Sequence, residues 1–183
     1  MDYSGPNGLY LGAWASGIQW IKNAGGKANA EVDLYGGWKG EVGAGLTVDV
    51  GVLAYVYPSN KLAPNADTTE VYGAVSYGPF TLKYSHALTN LFGFANSKNS
   101  GYTDLSAAFD VGNGFTVTPH VGYQSVKNLD AASYLDYSVS VSKAYGNFVP
   151  SIAVVKADSD AYVSPIGTSL AATGVVLTLK YNF

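Results

Sequence analysis

The chain of 183 residues has no cysteine, which excludes disulfides and thiolate metal sites and leaves the backbone and packing to hold the fold. Charge is scarce: Asp, Glu, Lys and Arg make up 13% of the chain, about half of what a water-soluble globule carries. With ten Lys and Arg and a formal net charge of −3, there is no basic patch to neutralise phosphates, so nucleic acid is set aside as a partner. No run of about 18 apolar residues occurs, which excludes a membrane-spanning helix but not a spanning barrel. The start, Met1-Asp2-Tyr3-Ser4-Gly5-Pro6, lacks the basic and then apolar profile of a secretion signal. The chain therefore reads as a mature, recombinant or partial form.

What the sequence does hold is 22 Gly, 15 Tyr, 7 Phe and 3 Trp within a composition that is 48% hydrophobic. Tight-turn signals fall at Gly5-Pro6-Asn7-Gly8, residues 40–45, Tyr77-Gly78-Pro79, Gly112-Asn113-Gly114 and Tyr145-Gly146-Asn147, a spacing of about 35 residues of the kind that marks repeats. Between successive turns lie two strand-like runs separated by a longer polar stretch, at 23–27, 58–67, 90–100, 127–132 and 158–174. Short turns alternating with long loops are what a bacterial barrel shows, although a propeller or solenoid shares such a period. Nothing suggests a seam, so residues 1–183 are read as one domain.

Alternation decides which residues share a face. In the last strand Val175, Leu177, Leu179, Tyr181 and Phe183 oppose Val176, Thr178, Lys180 and Asn182. Leu46, Val48, Val50, Val52, Ala54 and Val56 oppose Thr47, Asp49, Gly51, Leu53, Tyr55 and Tyr57. Ala30, Val32, Leu34, Gly36 and Trp38 oppose Glu31, Asp33, Tyr35, Gly37 and Lys39. The pattern recurs through the strands around Val75, Leu105, Val117 and Val139. Pro119 and Pro150 interrupt it, as residues expected at an edge or a bulge, and the run 9–18 has no clear phase because Tyr10, Trp14 and Ile18 compete with Leu9, Leu11 and Ala13.

A soluble sandwich also alternates, but here the polar face carries little of the Lys and Glu that coats a soluble sheet. Aromatics flank every short turn: Trp38, Tyr77, Phe80, Phe109, Phe115, Tyr145 and Phe148. Because those turns share one end, the rings form a belt suited to a membrane interface. The chain ends on Phe183, preceded at alternate positions by Leu177, Leu179 and Tyr181, which resembles the outer-membrane assembly signal.

The runs NGLYLGAWAS (7–16), EVDLYGGWKG (31–40), TEVYGAVSYG (69–78) and GYTDL (101–105) resemble the TorF-type porins, a proteobacterial outer-membrane family of conserved hypothetical proteins. The resemblance covers essentially the whole chain and implies an outer-membrane barrel with a channel role and no catalytic residues. Members of that family usually carry a further strand pair ahead of the first motif, which would make the family form twelve-stranded. Here only Asp2-Tyr3-Ser4 precedes the first turn, so the chain is expected to start near the end of a strand.

With the apolar face assigned to lipid, the lumen receives Glu31, Asp33, Asp49, Glu70, Asp104, Asp110, His120 and Asp136, opposed by Lys39, Lys83 and Lys180. A net acidic lumen favours cations or neutral solutes over anions; equally, in a narrow barrel these groups could hydrogen-bond into a plug. Only His86 and His120 could serve as imidazole bases, and no nucleophile motif accompanies either, so no enzymatic activity is expected. Asp158-Ser159-Asp160 lacks the spacing of a calcium loop and reads as solvated, while Tyr162, Val163, Pro165 and Ile166 of the same loop could fold into the mouth or meet a partner.

The sequence thus predicts an all-β, antiparallel up-and-down transmembrane barrel of about ten strands in the outer membrane of a Gram-negative bacterium. Its expected role is a small channel for passive passage of solutes or ions, with outer-membrane lipid and, through the C-terminal strand, the assembly machinery as partners, and with no cofactor or metal. The rival readings are a non-conducting barrel whose extracellular loops bind a partner or surface, and a soluble ligand-binding barrel.

Overall fold

A period-two pattern broken at intervals by glycine turns lets each run satisfy its backbone groups on the run that follows it. The computed structural model, which describes residues 1–182, is built this way. Its strands are β1 (Asp2–Ser4), β2 (Leu9–Gly17), β3 (Ala30–Gly43), β4 (Leu46–Val56), β5 (Thr68–Tyr77), β6 (Phe80–Ala87), β7 (Gly101–Ala107), β8 (Phe109–Gly112), β9 (Phe115–Ser125), β10 (Tyr134–Lys143), β11 (Phe148–Ala157) and β12 (Gly174–Tyr181). All twelve lie in one antiparallel up-and-down sheet in which neighbours in sequence are neighbours in space. The only helical pieces among the described residues are α1 (Trp20–Asn23) and a 3-10 turn at Asp130–Ala132, both in long loops.

β7 and β8 are two halves of one strand. Ser106 pairs with His120 and Phe109 with Val117, so the register on β9 runs straight through. The pairing with β9 lapses at Ala107 and Ala108, opposite Pro119 and Thr118, and Pro119 has no N–H to give to the ladder. Pro150 sits one residue past the last pair between β10 and β11, Ser142 with Ser151, and so interrupts nothing there. Counted this way, the sheet holds the ten long strands that the hairpin pattern predicts, plus the three-residue β1. Among the described residues no pairing joins β12 to β1 or β2, so the sheet is open along that seam.

Short turns gather at one end and long loops at the other. The β8–β9 turn shows why the sequence dictates this: Asn113 and Gly114 both take positive φ, 54° and 77°, the pair of left-handed residues that closes a two-residue hairpin. At the other end the loops 18–29, 57–67, 88–100 and 126–133 pack on one another. The buried apolar residues fall almost wholly here, in a cluster of Ile21, Ala28, Tyr57 and Ala66 and another of Ala87, Leu91, Val126 and Ala132.

The strands themselves have no such core on their apolar face. Leu34, Val139 and Leu177 are 51%, 51% and 77% exposed, and each belongs to the face that the sequence pattern marks as apolar. The described chain presents 11106 Å² of accessible surface, where a compact water-soluble monomer of this mass presents about 8400 Å². The sheet is also curled. Tyr57 follows β4 and Tyr134 opens β10, about 24 Å apart on a flat sheet at five strand spacings, yet both line one cavity of about 600 Å³. The polar face is therefore concave and the apolar face convex.

Pairing settles the phase of β2, which the sequence leaves open. Tyr10, Gly12, Trp14 and Ser16 stand opposite Gly37, Tyr35, Asp33 and Glu31, on the polar face, and Leu9, Leu11, Ala13 and Ala15 lie on the apolar one. The run is ambiguous in sequence because its polar face carries two large rings.

Those rings lie on glycines. Tyr10, Gly37, Gly51 and Tyr72 form one row across β2 to β5, and the two phenols lie down over the two glycines until their hydroxyls meet. A Cβ at Gly51 would stand 2.5 Å from the Tyr72 hydroxyl and 2.7 Å from the Gly36 carbonyl oxygen, whereas one at Gly73 would meet only a Val50 methyl at 3.9 Å. Gly51→Val is expected to lower stability by about 1–3 kcal/mol through overpacking, and Gly73→Val to change it by less than about 0.5 kcal/mol. Urea unfolding in lipid vesicles, followed by tryptophan fluorescence, checks both; equal losses would contradict the account of the row.

Candidate functional site

The concave face is built from alternate residues of every strand, and cross-strand pairing puts all the charged positions predicted for it there. Glu31 stands opposite Ser16, Asp33 opposite Trp14 and Asp49 opposite Lys39. Glu70 faces Leu53, Lys83 is flanked by Ala74 and Asp104, and His120 by Ser106 and Ser138. Asp136 faces Gly122, Asp110 faces Thr116 and Lys180 faces Val149.

Three groups form on this face. In the first, the Tyr10 hydroxyl donates to Asp49 at 2.6 Å and is hydrogen-bonded to the Tyr72 hydroxyl, while the Lys83 ammonium sits 4.2 Å from the centre of the Tyr72 ring. That is a cation–π contact, and the cluster borders a cavity of about 330 Å³. The second group is centred on His120, whose Nε2 lies 2.5 Å from Asp104 and whose Nδ1 lies 3.6 Å from Asp136. The Tyr102 hydroxyl donates to Asp136 at 3.0 Å. One imidazole thus ties β7, β9 and β10 together through carboxylates on both sides, beside a cavity of about 440 Å³ that Tyr134 and Tyr162 also line.

The third group lies under the long loops, where Tyr57 hydrogen-bonds Glu31 and Glu70 is buried. One oxygen of Asp33 is buried with no hydrogen-bond partner among the described residues. Asp110 and Lys180 share the face but not the clusters: both are exposed near the short-turn end, where Asp110 accepts a hydrogen bond from the Gly112 N–H at 2.8 Å. His86 points to the convex side, within 3.4 Å of the Tyr84 hydroxyl and 3.3 Å of Asn99 Oδ1.

The short-turn aromatics form an exposed band at one end. Tyr77, Phe80, Phe109, Phe115, Tyr145 and Phe148 are all exposed, with Phe80 edge-on to Phe109 at 6.0 Å and Phe148 at 4.8 Å from Tyr181. Trp38 is more sheltered and donates its indole N–H to the Asn7 carbonyl. Leu177, Leu179 and Tyr181 line up on the convex face opposite Ile152, Pro150 and Phe148; Phe183 lies outside the described residues. Asp158 is exposed, as a solvated loop carboxylate would be, and it also accepts the Leu135 N–H at 2.6 Å, capping the start of β10. In the same loop Tyr162 turns into the mouth against Tyr134, with ring centres 5.4 Å apart, while Ile166 stays outside. Among the described residues no group of His, Asp and Glu is arranged to hold a metal ion.

Tyr10, Tyr72 and Tyr102, which hydrogen-bond the carboxylates or one another, and the ring cluster at the loop end are not singled out by the charge pattern of the sequence. The signal is tyrosine on the polar phase with a glycine near it on the next strand: the Tyr102 ring lies over Gly122, which pairs with Asp104, and an added Cβ there would collide with that ring.

These features define a curled up-and-down sheet with an apolar convex face and a concave face of carboxylates, tyrosines and one paired histidine. The chain belongs to the Gcw_chp family, described as a bacterial protein of unknown function, whose model matches residues 1–183. No curated protein and no solved structure matches it.

Removing the imidazole would leave Asp104 and Asp136 facing each other without a bridge. His120→Ala is expected to destabilise by about 1–3 kcal/mol, and a double-mutant cycle with Asp104→Ala to show coupling of about 0.5–3 kcal/mol. Urea unfolding of the four proteins measures this; additive losses would mean that the pair is not formed.

Proposed function

We propose that the protein is a small channel of the bacterial outer membrane, with its convex face in lipid and its concave face lining a net acidic passage. One observation carries this reading: the apolar face of ten strands is exposed while, among the described residues, the buried apolar clusters sit at the loop end. In water such a face would be a large unpaid exposure of Val, Leu and aromatic surface; in hydrocarbon it is the required coat. The exposed aromatic band at the short-turn end fits a headgroup interface, and the resemblance of four sequence runs to TorF-type porins points the same way.

Hydrocarbon also demands closure, because an unpaired strand edge in lipid leaves backbone groups without partners at several kcal/mol each. The channel reading therefore includes pairing of the open edge of β12 with the β1–β2 edge in the membrane. The alternate apolar residues Leu177, Leu179 and Tyr181 of β12 fit a strand handed over by assembly machinery. Within the passage Glu31, Asp33, Asp49, Glu70, Asp104 and Asp136 outnumber Lys39, Lys83 and His120, so cations and neutral solutes pass in preference to anions.

A second reading, a non-conducting barrel that presents its loops to a partner or surface, draws support from the loop cap, whose own apolar clusters bring four loops and the adjoining strand ends together over the mouth.

Planar-bilayer recording on the refolded chain tests the proposal. Discrete conductance steps with a cation-selective reversal potential in a salt gradient are expected, and Asp→Asn and Glu→Gln replacement at Asp33, Glu70 and Asp104 together should reduce that selectivity. Anion preference would contradict the acidic passage, and the absence of steps would favour the second reading. Membrane insertion gives an independent check: Val139→Arg on the convex face should cost about 2–4 kcal/mol of stability in vesicles, while Ser140→Arg, one residue on and facing the other way, should cost far less.

A further inference from the structure

The cavity of about 600 Å³ at the loop end differs in chemistry from the passage beneath it. None of its lining residues is charged. Its walls are six rings, Trp20, Tyr57, Phe92, Phe94, Tyr134 and Tyr162, contributed by loops far apart in the chain. The rings are held edge to face: Trp20 against Tyr57 at 5.1 Å, Tyr57 against Phe92 at 6.5 Å, and Tyr134 against Tyr162 at 5.4 Å. These contacts make two fixed walls, one on α1 and the first loops, the other where the last long loop folds back onto β10. The Ile21 and Leu91 clusters brace the walls from behind. The rings do not fill the space they enclose.

Most polar atoms of the lining are already committed. The Tyr162 hydroxyl donates to the Ala132 carbonyl at 2.9 Å, Tyr57 is bonded to Glu31, and the Gln124 amide donates to the Gly101 carbonyl at 3.0 Å. The Tyr134 hydroxyl makes no hydrogen bond to another described residue, which leaves it to meet an occupant. Burial pushes the phenols of Tyr57 and Tyr162 above their ordinary range, so the lining stays neutral at any ordinary pH.

We propose that this cavity is a binding site for a neutral solute carrying an aromatic ring system, stacked between the Trp20–Tyr57–Phe92 wall and the Tyr134–Tyr162 wall, with one polar substituent on the Tyr134 hydroxyl. Its volume falls in the range of small-molecule sites, which are mostly apolar with a few placed polar groups. Ring faces and edges favour aromatic over saturated rings of similar size. The carboxylates below and the absence of any cation in the lining disfavour anions. Tyr134 and Tyr162 also line the cavity beside His120, so the site opens directly onto the acidic face.

Calorimetric titration of the full chain in lipid vesicles, with protein-free vesicles as the blank, tests this with indole as the neutral aromatic probe, cyclohexanol as the saturated one and indole-3-acetate as the anion. Indole should saturate at one equivalent per chain, with the other two at least tenfold weaker. Trp20→Ala and Tyr134→Ala should each weaken indole tenfold or more. Ala24→Phe, which fills the cavity without removing a wall, should abolish saturation, and Phe109→Ala at the other end of the sheet should leave it unchanged. Uptake no greater than that of blank vesicles, equal affinity for the anion, or indifference to all three cavity variants would overturn the site. The channel proposal stands apart: saturable indole binding without current supports the site against the channel, and current without saturable indole does the reverse.

Discussion

Everything in this fold turns on the medium that meets the convex face. A β-strand offers its neighbours backbone groups and sorts its side chains strictly onto two faces, so once ten strands pair in register the sorting extends over the whole sheet. Most Val, Leu and Ile residues of the strands are gathered on one side, and nearly every charged residue of the strands on the other, with tyrosines on both. The sheet cannot satisfy both faces in one solvent unless something covers the apolar one, and no second sheet or helix layer does so among the described residues. The proposed lipid setting would resolve the conflict and account for the other features, from the scarcity of Lys and Glu to the exposed ring band at the short-turn end.

The concave face has a different problem, which is room. Large residues pointing inward would fill a curled sheet of this width. Here the tyrosines lie flat on glycines in neighbouring strands, and their hydroxyls reach Asp49 and Asp136 along the wall rather than across the middle. The abundance of both residue types is thus one design, in which glycine provides the floor and tyrosine the covering. The same economy ties His120 to two carboxylates, which keeps charge on the wall and limits repulsion within an acidic surface. Above this wall the loops supply the hydrophobic core that the strands lack, and their rings enclose the uncharged cavity.

The strand order, the alternation of short turns and long loops and the assignment of Glu31, Asp33, Asp49, Glu70, Asp104, His120 and Asp136 to one face were all legible in the sequence, because period two and glycine turns are local signals. The phase of β2 was not, since Tyr10 and Trp14 on the polar face look as apolar as Leu9 and Leu11 until β3 fixes the register. The split at Ala108 could be read only in part: Pro119 announced a defect, but its location on the partner strand needs the pairing. The mouth was the least legible. Trp20, Phe92 and Tyr162 sit in loops without periodicity, far apart in the chain, and only the curl of the sheet brings them together. Asp158 is exposed, as its loop sequence suggests, but its further role as a cap is invisible until the fold sets the Leu135 N–H beside it.

Because the chain has no cysteine, single cysteines can be placed at will, and the most direct test of the account uses them. A fluorophore attached in turn at Val139, Ile152 and Leu177 on the convex face, and at Ser138, Ser140 and Thr178 on the concave face, reports its surroundings in vesicles through quenching by brominated lipid and by the neutral aqueous quencher acrylamide. The first three should be quenched by the lipid and the second three by acrylamide. The opposite pattern, with the Val and Leu positions shielded from both and the serines facing bulk water on an otherwise soluble particle, would contradict it.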